Sequence, residues 1–333
     1  MRKVTSFDVA REAGVSQPTV SRALRGMPGI SLGTRRRVEE AAQRLEYVPS
    51  DRGRVLSTAR TRRVAVISEE LSNPFYPELV EPIRRALASH GWRTVVLVDS
   101  DRESLDLDLL ADGSYDGAIL TTTPRNSPLP RELRSRRIPH VLVNRVTDEQ
   151  GSHRCEVDNA GGVRAVAGLL KSLGHRLVGA IQGPLAMSTA YERHHALLEA
   201  AQSLPLVVSP AHVRFTQFSH DAGHAAAHDL LARGDRPTAV VSGNDVIALG
   251  VLSVARELGL RVPEDLTVIG FDDIRMAAWP LIGLTTVRAD LEAMAHSAVE
   301  LLMEEMRQPA PRPYILTTPT RLVLRSTHAP APS

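Results

Sequence analysis

Cysteine, lysine and long apolar runs are scarce in this chain of 333 residues. The one cysteine, Cys155, cannot form an internal disulfide and has no second thiol for a zinc site, so we expect a small, partly buried residue there. No run approaches the roughly 18 apolar residues that span a bilayer, and the amino terminus lacks the apolar stretch of a signal peptide. These absences predict a cytoplasmic protein.

Signatures of catalysis and of cofactor binding are also missing. No glycine-rich phosphate loop or Ser-His-Asp order stands out, and GNDVIALG (243–250) lacks the spacing of a dinucleotide fingerprint. His220, His224 and His228 recur every fourth residue, which places them on one face of a helix. About two helical turns separate the outer pair, too widely for one ion, so we interpret this face as solvated. We therefore expect no enzyme, no cofactor and no metal.

Charge is distributed unevenly along the chain. Residues 1–63 contain 14 Arg/Lys and 6 Asp/Glu, a net charge of +8, whereas the remaining residues contain 26 and 32, a net charge of −6. A basic head on an acidic body is typical of a protein that binds a polyanion with one part and does something else with the other. The length likewise favours a small module followed by larger α/β lobes.

The basic segment begins with the pattern of two short helices. Thr5 and Asp8 have the spacing of a capping box, Phe7, Val9, Ala10 and Ala13 supply an apolar stripe, and Gly14 permits a sharp turn. Ser16 caps a second helix, in which Pro18 lies in the first turn and Val20 and Leu24 continue the buried face. A third helix begins at Ser31, presents Val38, Ala41, Ala42 and Leu45, and ends before Pro49. The pattern predicts a helix-turn-helix.

The second helix carries side chains suited to reading base edges. Gln17 can pair with an adenine edge and Arg22 with guanine or phosphate, while Pro18 can make only apolar contact, such as with a thymine methyl group. An ordinary helical hairpin would explain the pattern alone. The net charge of +8 beside it favours binding to double-stranded DNA, with steep salt dependence.

From residue 62 onward, apolar runs alternate with helical segments. Strands are predicted at 62–68, 94–100, 117–121, 140–144, 177–183, 239–243 and 266–272, separated by helical segments such as 77–91, 160–174 and 245–259. Repeated βα units imply parallel sheets in two halves, and ligands of such sheets bind beyond the carboxyl ends of the strands. The aromatic residues near these ends are about as well explained by core packing as by ligand binding.

The motifs together resemble the lactose-repressor and galactose-repressor (LacI/GalR) family. They include VTSFDVAREAGVSQPTVSRAL (4–24), NPFYPELV (73–80), VDNAGG (157–162), LGHRLVGAIQGP (173–184), VPEDLTVIGFDD (262–273) and LTTV (284–287), in order over nearly the whole chain. The resemblance implies an all-α helix-turn-helix head on a periplasmic-binding-protein-like α/β body of two parallel-sheet subdomains. It also implies a homodimeric regulator, typically a repressor, that binds a palindromic operator and is switched by a small molecule such as a sugar, sugar acid or sugar phosphate. No membrane partner is expected.

The resemblance also gives domain boundaries and site residues. It implies a DNA-binding domain at 1–49, a hinge at 50–61 and a body at 62–330, with subdomains of about 62–157 plus 286–312 and about 158–285 plus 313–330. The expected DNA-binding residues are Thr5, Ser6, Ser16, Gln17, Pro18, Thr19, Ser21, Arg22, Arg25, Ser31, Thr34, Tyr47 and Leu56. The expected effector-binding residues are Asn73, Phe75, Tyr76, Asn144, Arg145, Arg193, Phe218, Asn244 and Asp272.

Two departures from the family pattern alter these expectations. Sugar-binding relatives commonly carry Asp-Arg after the fourth strand, where this chain has Asn144-Arg145. The lost carboxylate favours a negatively charged effector, or one other than a neutral hexose. In the hinge, Gly53 replaces a common Ala and disfavours helix by about 1 kcal/mol, so we expect hinge order to depend on DNA, with Leu56 wedged into the minor groove.

Two other functions remain open on the sequence alone. A stand-alone solute receptor would share the body, but the basic head and the missing signal peptide oppose it. A sugar-processing α/β enzyme would need a nucleophile or an acid/base pair at strand ends, and none is evident. The three functions can be distinguished by experiment: operator binding supports the regulator, export supports the receptor, and turnover supports the enzyme.

Overall fold

The amino-terminal helices begin where their capping residues predict. The computed structural model describes residues 4–24, 26–47, 61–68, 71–98 and 110–332. Helix α1 (Ser6–Ala13) is closed by the reciprocal hydrogen bonds of the capping box, in which the Thr5 hydroxyl accepts from the Asp8 amide and the Asp8 carboxylate accepts from the Thr5 amide. Gly14, with φ of 65°, ends it. Helices α2 (Gln17–Leu24) and α3 (Leu32–Arg44) follow, and Ser31 caps α3.

These three helices share a small core of their own. Its buried side chains are Val9, Ala10, Ala13, Val20, Ala23, Val38, Ala41 and Ala42. Phe7, expected on the buried stripe of α1, is 70% exposed, because rotation of about 100° per residue places it away from the buried Val9 and Ala13. The first of two compact units comprises Met1–Thr61, and the second comprises Arg62–Ser333.

The second unit contains two lobes, each built on a parallel sheet. In the first lobe, the elements are β1 (Arg63–Ser68), α4 (Phe75–Ser89), β2 (Arg93–Val98), β3 (Gly117–Leu120), α5 (Leu129–Ser135), β4 (His140–Val143) and β5 (His153–Val157). The described strands pair in the order β11-β5-β4-β3-β1-β2, all parallel, where β11 (Ile315–Thr318) returns from the end of the chain. The carboxyl ends of β1 and β4 therefore open at the same edge.

The second lobe repeats the arrangement around a four-stranded sheet. Its elements are α6 (Asn159–Ser172), β6 (Val178–Gln182), α7 (Ser188–Ser203), β7 (Val213–Phe215), α8 (His220–Leu231), β8 (Ala239–Ser242), α9 (Asp245–Glu257) and β9 (Thr267–Ile269). Short 3-10 turns occur at Pro210–His212 and Arg275–Ala278. The strands pair in parallel in the order β7-β6-β8-β9, and α6 packs on α7 as α8 packs on α9. All seven strands predicted from the sequence are confirmed.

The chain crosses between the lobes twice within residues 286–323. Strand β10 (Thr286–Ala289) leads into α10 (Leu291–Arg307), which packs against α4, and β12 (Thr320–Val323) returns antiparallel to β10. The strand pairing corrects the expected boundary at 313–330, because β11 pairs with β5 in the first lobe. The first lobe's sheet would otherwise end at β5, whose ladder groups need a partner.

Two side-chain expectations in the body need adjustment. Cys155 is 1% exposed, more deeply buried than expected, and its burial raises the pKa of the thiol to about 12. His220 and His224 do not form a merely solvated face: the His220 Nε2 hydrogen-bonds Ser253 Oγ at 3.1 Å, and the His224 Nε2 hydrogen-bonds the Glu257 carboxylate at 2.9 Å. Both acceptors lie on α9. In the described ranges, no helix is long and apolar enough to cross a membrane.

Candidate effector site and DNA-binding surface

A small cavity lies where strands of both lobes end. Its volume is about 10 Å³, so the lining side chains lie almost in contact with one another. Its lining residues are Asn73, Phe75, Tyr76, Asn144, Arg145, Thr189, Arg193, Phe218, Asn244 and Asp272. All nine residues expected at the effector site therefore meet around one cavity. The structure adds a tenth, Thr189, which precedes Arg193 by one helical turn on α7 and was missed because its type alone carries no signal.

The sequence places these side chains through strand ends and helix starts. Asn73 precedes α4 and its Oδ1 accepts the Phe75 amide hydrogen at 3.1 Å. Asn244 caps α9, where its Oδ1 accepts the Ile247 amide hydrogen at 2.9 Å. Because each oxygen is held by the backbone, each amide nitrogen is left to donate into the cavity.

Residues after β4 and β9 adopt unusual backbone conformations. Asn144 has φ of 67° and Asp272 has φ of 112°. Non-glycine residues with such values cost of order 1 kcal/mol or more and occur mainly where function requires a particular direction of the chain. The Asn144 Oδ1 is buried and accepts no hydrogen bond from the described residues. A ligand donor at that position would satisfy it.

Arg193 is the centre of the polar wall. Its guanidinium donates to Asn159 Oδ1 at 2.8 Å, to the Gly243 carbonyl at 2.6 Å and to Asp272 Oδ1 at 3.2 Å, and it stacks on Phe271 with Cζ 3.6 Å from the ring centroid. Asn159, in the VDNAGG motif, was not predicted as a site residue, and its role here is to orient Arg193. A buried guanidinium with this many partners is fixed in place before any ligand arrives.

Asp272 is buried beside that arginine, and its burial raises the pKa of the carboxyl to about 6, against the lowering effect of Arg193 and Arg145. The expectation that this carboxylate is available to accept two hydroxyls is therefore narrowed, because one of its oxygens already accepts from Arg193. The Asp272 side chain holds Arg193 in place through this hydrogen bond, and its remaining lone pairs can accept hydrogen bonds from a ligand in the cavity.

We expect Asp272 to make stability of the body pH-dependent. A carboxyl whose pKa rises from 3.8 unfolded to about 6 folded binds the proton more tightly in the folded state. Its contribution to the free energy of unfolding is full below pH 4 and is lost by about pH 6, a loss on the order of 3 kcal/mol. Urea unfolding of the wild type and of Asp272→Asn at pH 4–7 measures this effect: the difference between their free energies of unfolding should fall as the pH rises. A difference that does not change with pH would contradict the prediction.

The aromatic residues form the cavity's apolar walls and also belong to the protein core. Phe75, Tyr76 and Phe218 are each less than 10% exposed and pack in the main core cluster. The Arg145 guanidinium lies between two of them, with its Cζ 5.3 Å from the Tyr76 ring centroid and 5.1 Å from that of Phe218. Packing and cavity lining are thus compatible roles.

On the amino-terminal unit, none of the expected DNA-binding residues that the structure describes is buried. The two side chains expected to hydrogen-bond base edges each make one internal contact: Gln17 Nε2 donates to Ser6 Oγ at 3.2 Å, and Arg22 Nη2 donates to the Pro28 carbonyl at 3.2 Å. Both contacts are single and part-exposed, so exchanging them for DNA contacts costs little. Arg25, Leu56 and the hinge residues 50–60 lie outside the described ranges.

A helix-turn-helix unit joined to a two-lobed α/β body with a polar cavity at its strand ends defines a ligand-responsive DNA-binding regulator. Residues 7–50 match the model of bacterial regulatory proteins of the lacI family, and residues 167–328 match that of the periplasmic binding protein-like domain. The transcriptional regulator CelR of Thermobifida fusca is 33% identical, covering 97% of this chain and 98% of its own. The transcriptional repressor CytR of Escherichia coli K12 is 32% identical over 91% and 90%.

Solved structures agree. The lac repressor dimer bound to operator and the anti-inducer ONPF has a TM-score of 0.86 at 26% identity, covering 98% of this chain and 100% of that one. The CelR–cellobiose complex has a TM-score of 0.75 at 31% identity with the same coverage. The chain belongs to the LacI family of transcription regulators, and the two expectations of a helix-turn-helix head and a periplasmic-binding-protein-like body are confirmed. It is a DNA-binding regulator with a small-molecule effector.

Proposed function

We propose that this regulator is a repressor that binds a palindromic operator as a homodimer and changes its operator affinity when an effector fills the cavity. The observation that carries the proposal is the convergence of polar and aromatic side chains from both lobes on one small cavity. A ligand that touches both lobes favours one angle between them, and so shifts a two-state equilibrium. Two-fold symmetry of the operator requires two heads. The lac repressor dimer on its operator supports this arrangement.

Genome-wide selection of DNA fragments by the purified protein, with and without a panel of sugars, sugar acids and nucleobases, tests the proposal. A palindromic site lost or gained on adding one compound would give operator, effector and sign of the response together. The absence of an enriched palindrome under every condition would overturn it. Relatives are transcription regulators rather than enzymes, and we extend that to this chain, with action in the cytoplasm where its DNA is.

We expect Arg22→Ala to weaken binding to the selected operator by about 10- to 100-fold, since a bidentate contact to guanine contributes roughly 1–3 kcal/mol of discrimination. Among the described residues the exposed Arg22 side chain makes one hydrogen bond, to the Pro28 carbonyl, so folding should be preserved. Fluorescence anisotropy on operator and scrambled duplexes measures the change. The matched control is Arg36→Ala, whose side chain pairs with Glu40 on α3; an equal loss there would indicate a nonspecific charge effect.

The charges of the cavity favour an anionic effector. Its ten lining residues include two arginines, Arg145 and Arg193, and one acid, Asp272. Two arginines against one acid give the lining a positive balance of charge, and the Arg145 guanidinium lies between the aromatic walls. A carboxylate or phosphate on a sugar ring is the matching chemistry. We therefore propose a sugar acid or sugar phosphate, in contrast to the cellobiose of the CelR complex.

Arg145→Gln separates these effector classes. We expect it to weaken binding of the anionic effector about 10- to 100-fold, because a charge-assisted hydrogen bond contributes roughly 1.5–3 kcal/mol, and to leave a neutral hexose little changed. Calorimetry of wild type and variant with glucose, glucuronate and glucose 6-phosphate measures both. Tighter binding of the neutral hexose than of its charged derivatives by the wild type would contradict the proposal. Arg131→Gln, on exposed α5, is the control.

A further inference from the structure

A second, larger cavity lies at the opposite edge of the six-stranded sheet. Its volume is about 530 Å³, and it is lined where β4 and β5 begin, at His140 and His153, rather than where β4 ends at Asn144 and Arg145. The end of α5, the loop before β5 and residues 309–313 complete its wall. None of its lining residues belongs to the effector cavity.

One wall is a fixed chain of hydrogen bonds. The His140 Nδ1 donates to the Ile138 carbonyl at 2.9 Å, so its Nε2 accepts from the Ser152 hydroxyl at 2.8 Å. Ser152 Oγ in turn accepts from Arg134 Nη1 at 2.8 Å, while the other Arg134 nitrogen pairs with Glu149. Burial lowers the pKa of His140, which keeps the ring neutral at pH 7. These hydrogen bonds therefore fix the orientations of His140, Ser152 and Arg134 before a ligand binds.

Glu305, the acidic residue that lines this cavity, also has hydrogen-bond donors within the protein. His153 Nδ1 accepts the Tyr314 amide hydrogen at 3.1 Å, so the proton is on Nε2, which donates to Glu305 Oε2 at 3.1 Å. The same oxygen accepts the Ala310 amide hydrogen at 3.0 Å. Two donors thus satisfy this carboxylate oxygen and hold the Glu305 side chain in place.

Two arginines at the mouth have no such partner. Arg137 and Arg312 are exposed lining residues, and neither side chain makes a hydrogen bond or ion pair with the residues that the structure describes. They approach the cavity from different segments, the turn after α5 and the connection between α10 and β11. Guanidinium groups converging from two sides suit the several oxygens of a phosphate.

We propose that this cavity is a second small-molecule site that binds a phosphorylated metabolite, with Arg137 and Arg312 on the phosphate and the uncharged part inside. The volume, about 530 Å³, lies within the roughly 300–1,000 Å³ of small-molecule sites. Residues 309–313 continue through β11 into β12, which pairs with β10 where the chain crosses between the lobes. A ligand that orders this connection acts on the segment that joins the lobes, independently of the effector cavity.

Calorimetry of the full chain with glucose 6-phosphate, glucose and inorganic phosphate tests the site. We expect the variant carrying both Arg137→Gln and Arg312→Gln to bind glucose 6-phosphate about 100-fold more weakly at this site, from two lost charge-assisted contacts. The exposed positions should leave the thermal unfolding midpoint unchanged. The control Arg131→Gln, also exposed near the cavity but outside its lining, should bind as the wild type does.

Imidazole NMR signals locate the ligand. Addition of glucose 6-phosphate should shift the His140 and His153 signals in the wild type and in Arg145→Gln, and should leave them unmoved in the double variant. This outcome holds even if the effector proposal fails. Glucose 6-phosphate binding that survives when the double variant is combined with Arg145→Gln, equal weakening in Arg131→Gln, or histidine shifts lost in Arg145→Gln would overturn the second site. So would the absence of any binding of glucose 6-phosphate to the wild type at millimolar concentration, or histidine signals that stay in place.

Discussion

Replacing Arg193 by Met is expected to abolish effector binding, with a loss of roughly 100-fold or more, and to destabilise the body by about 3–5 kcal/mol. The guanidinium is buried and makes hydrogen bonds with Asn159, Gly243 and Asp272. Its removal leaves the Asp272 carboxylate buried without its counter-charge. Urea unfolding of the purified variant measures the loss of stability, and calorimetry with the selected effector measures the loss of affinity.

The variant Arg193→Met with Asp272→Asn distinguishes the two consequences. Removing both charges should restore much of the stability, because replacing a buried pair costs far less than breaking it. Effector affinity should stay low, since the Arg193 guanidinium that lines the cavity is still missing. If the double variant recovers effector binding along with stability, Arg193 acts only through folding. If Arg193→Met is as stable as the wild type, the Arg193–Asp272 pair does not contribute to stability as we expect.

Val38→Asp is expected to unfold the amino-terminal unit and abolish operator binding while effector binding persists. Val38 is completely buried among eight small core side chains. An unpaired carboxylate there costs several kcal/mol, and a unit of this size has only a few to lose. Because the body has its own core, its effector affinity should be unchanged. Gel shift on the selected operator and calorimetry with the effector report on the two units separately.

Gln43→Asp is the matched control for that substitution. It places the same charge on the exposed face of α3. Its cost should be a few tenths of a kcal/mol, since an acid near a helix carboxyl terminus is only slightly unfavourable in water. Circular dichroism of residues 1–61 as a separate peptide would show cooperative unfolding for Gln43→Asp and its absence for Val38→Asp. Operator binding that survives Val38→Asp would contradict the assignment of this core.

Local sequence signals were sufficient for the helical head. The Thr5–Asp8 capping box, Gly14 and Ser31 each act within a few residues, so their positions in the chain predict helix ends directly. The same holds for the seven predicted strands, which are continuous apolar runs. Strands β5, β7, β10, β11 and β12 were not predicted, because they are short and carry charged or exposed residues. Their pairing comes from partners far along the chain rather than from their own pattern.

The sequence by itself determined the family, the helix-turn-helix and the types of side chain at the strand ends. Only the tertiary structure decided that Arg193 pairs with Asp272, that Arg145 lies between Tyr76 and Phe218, and that β11 belongs to the first lobe. It also revealed the cavity at Arg137 and Arg312, whose segments are about 175 residues apart. Strand ends follow from local pattern, whereas contacts between distant segments depend on how the two sheets are covered and joined. Burial then sets the charge of each group, as it raises the pKa of Asp272.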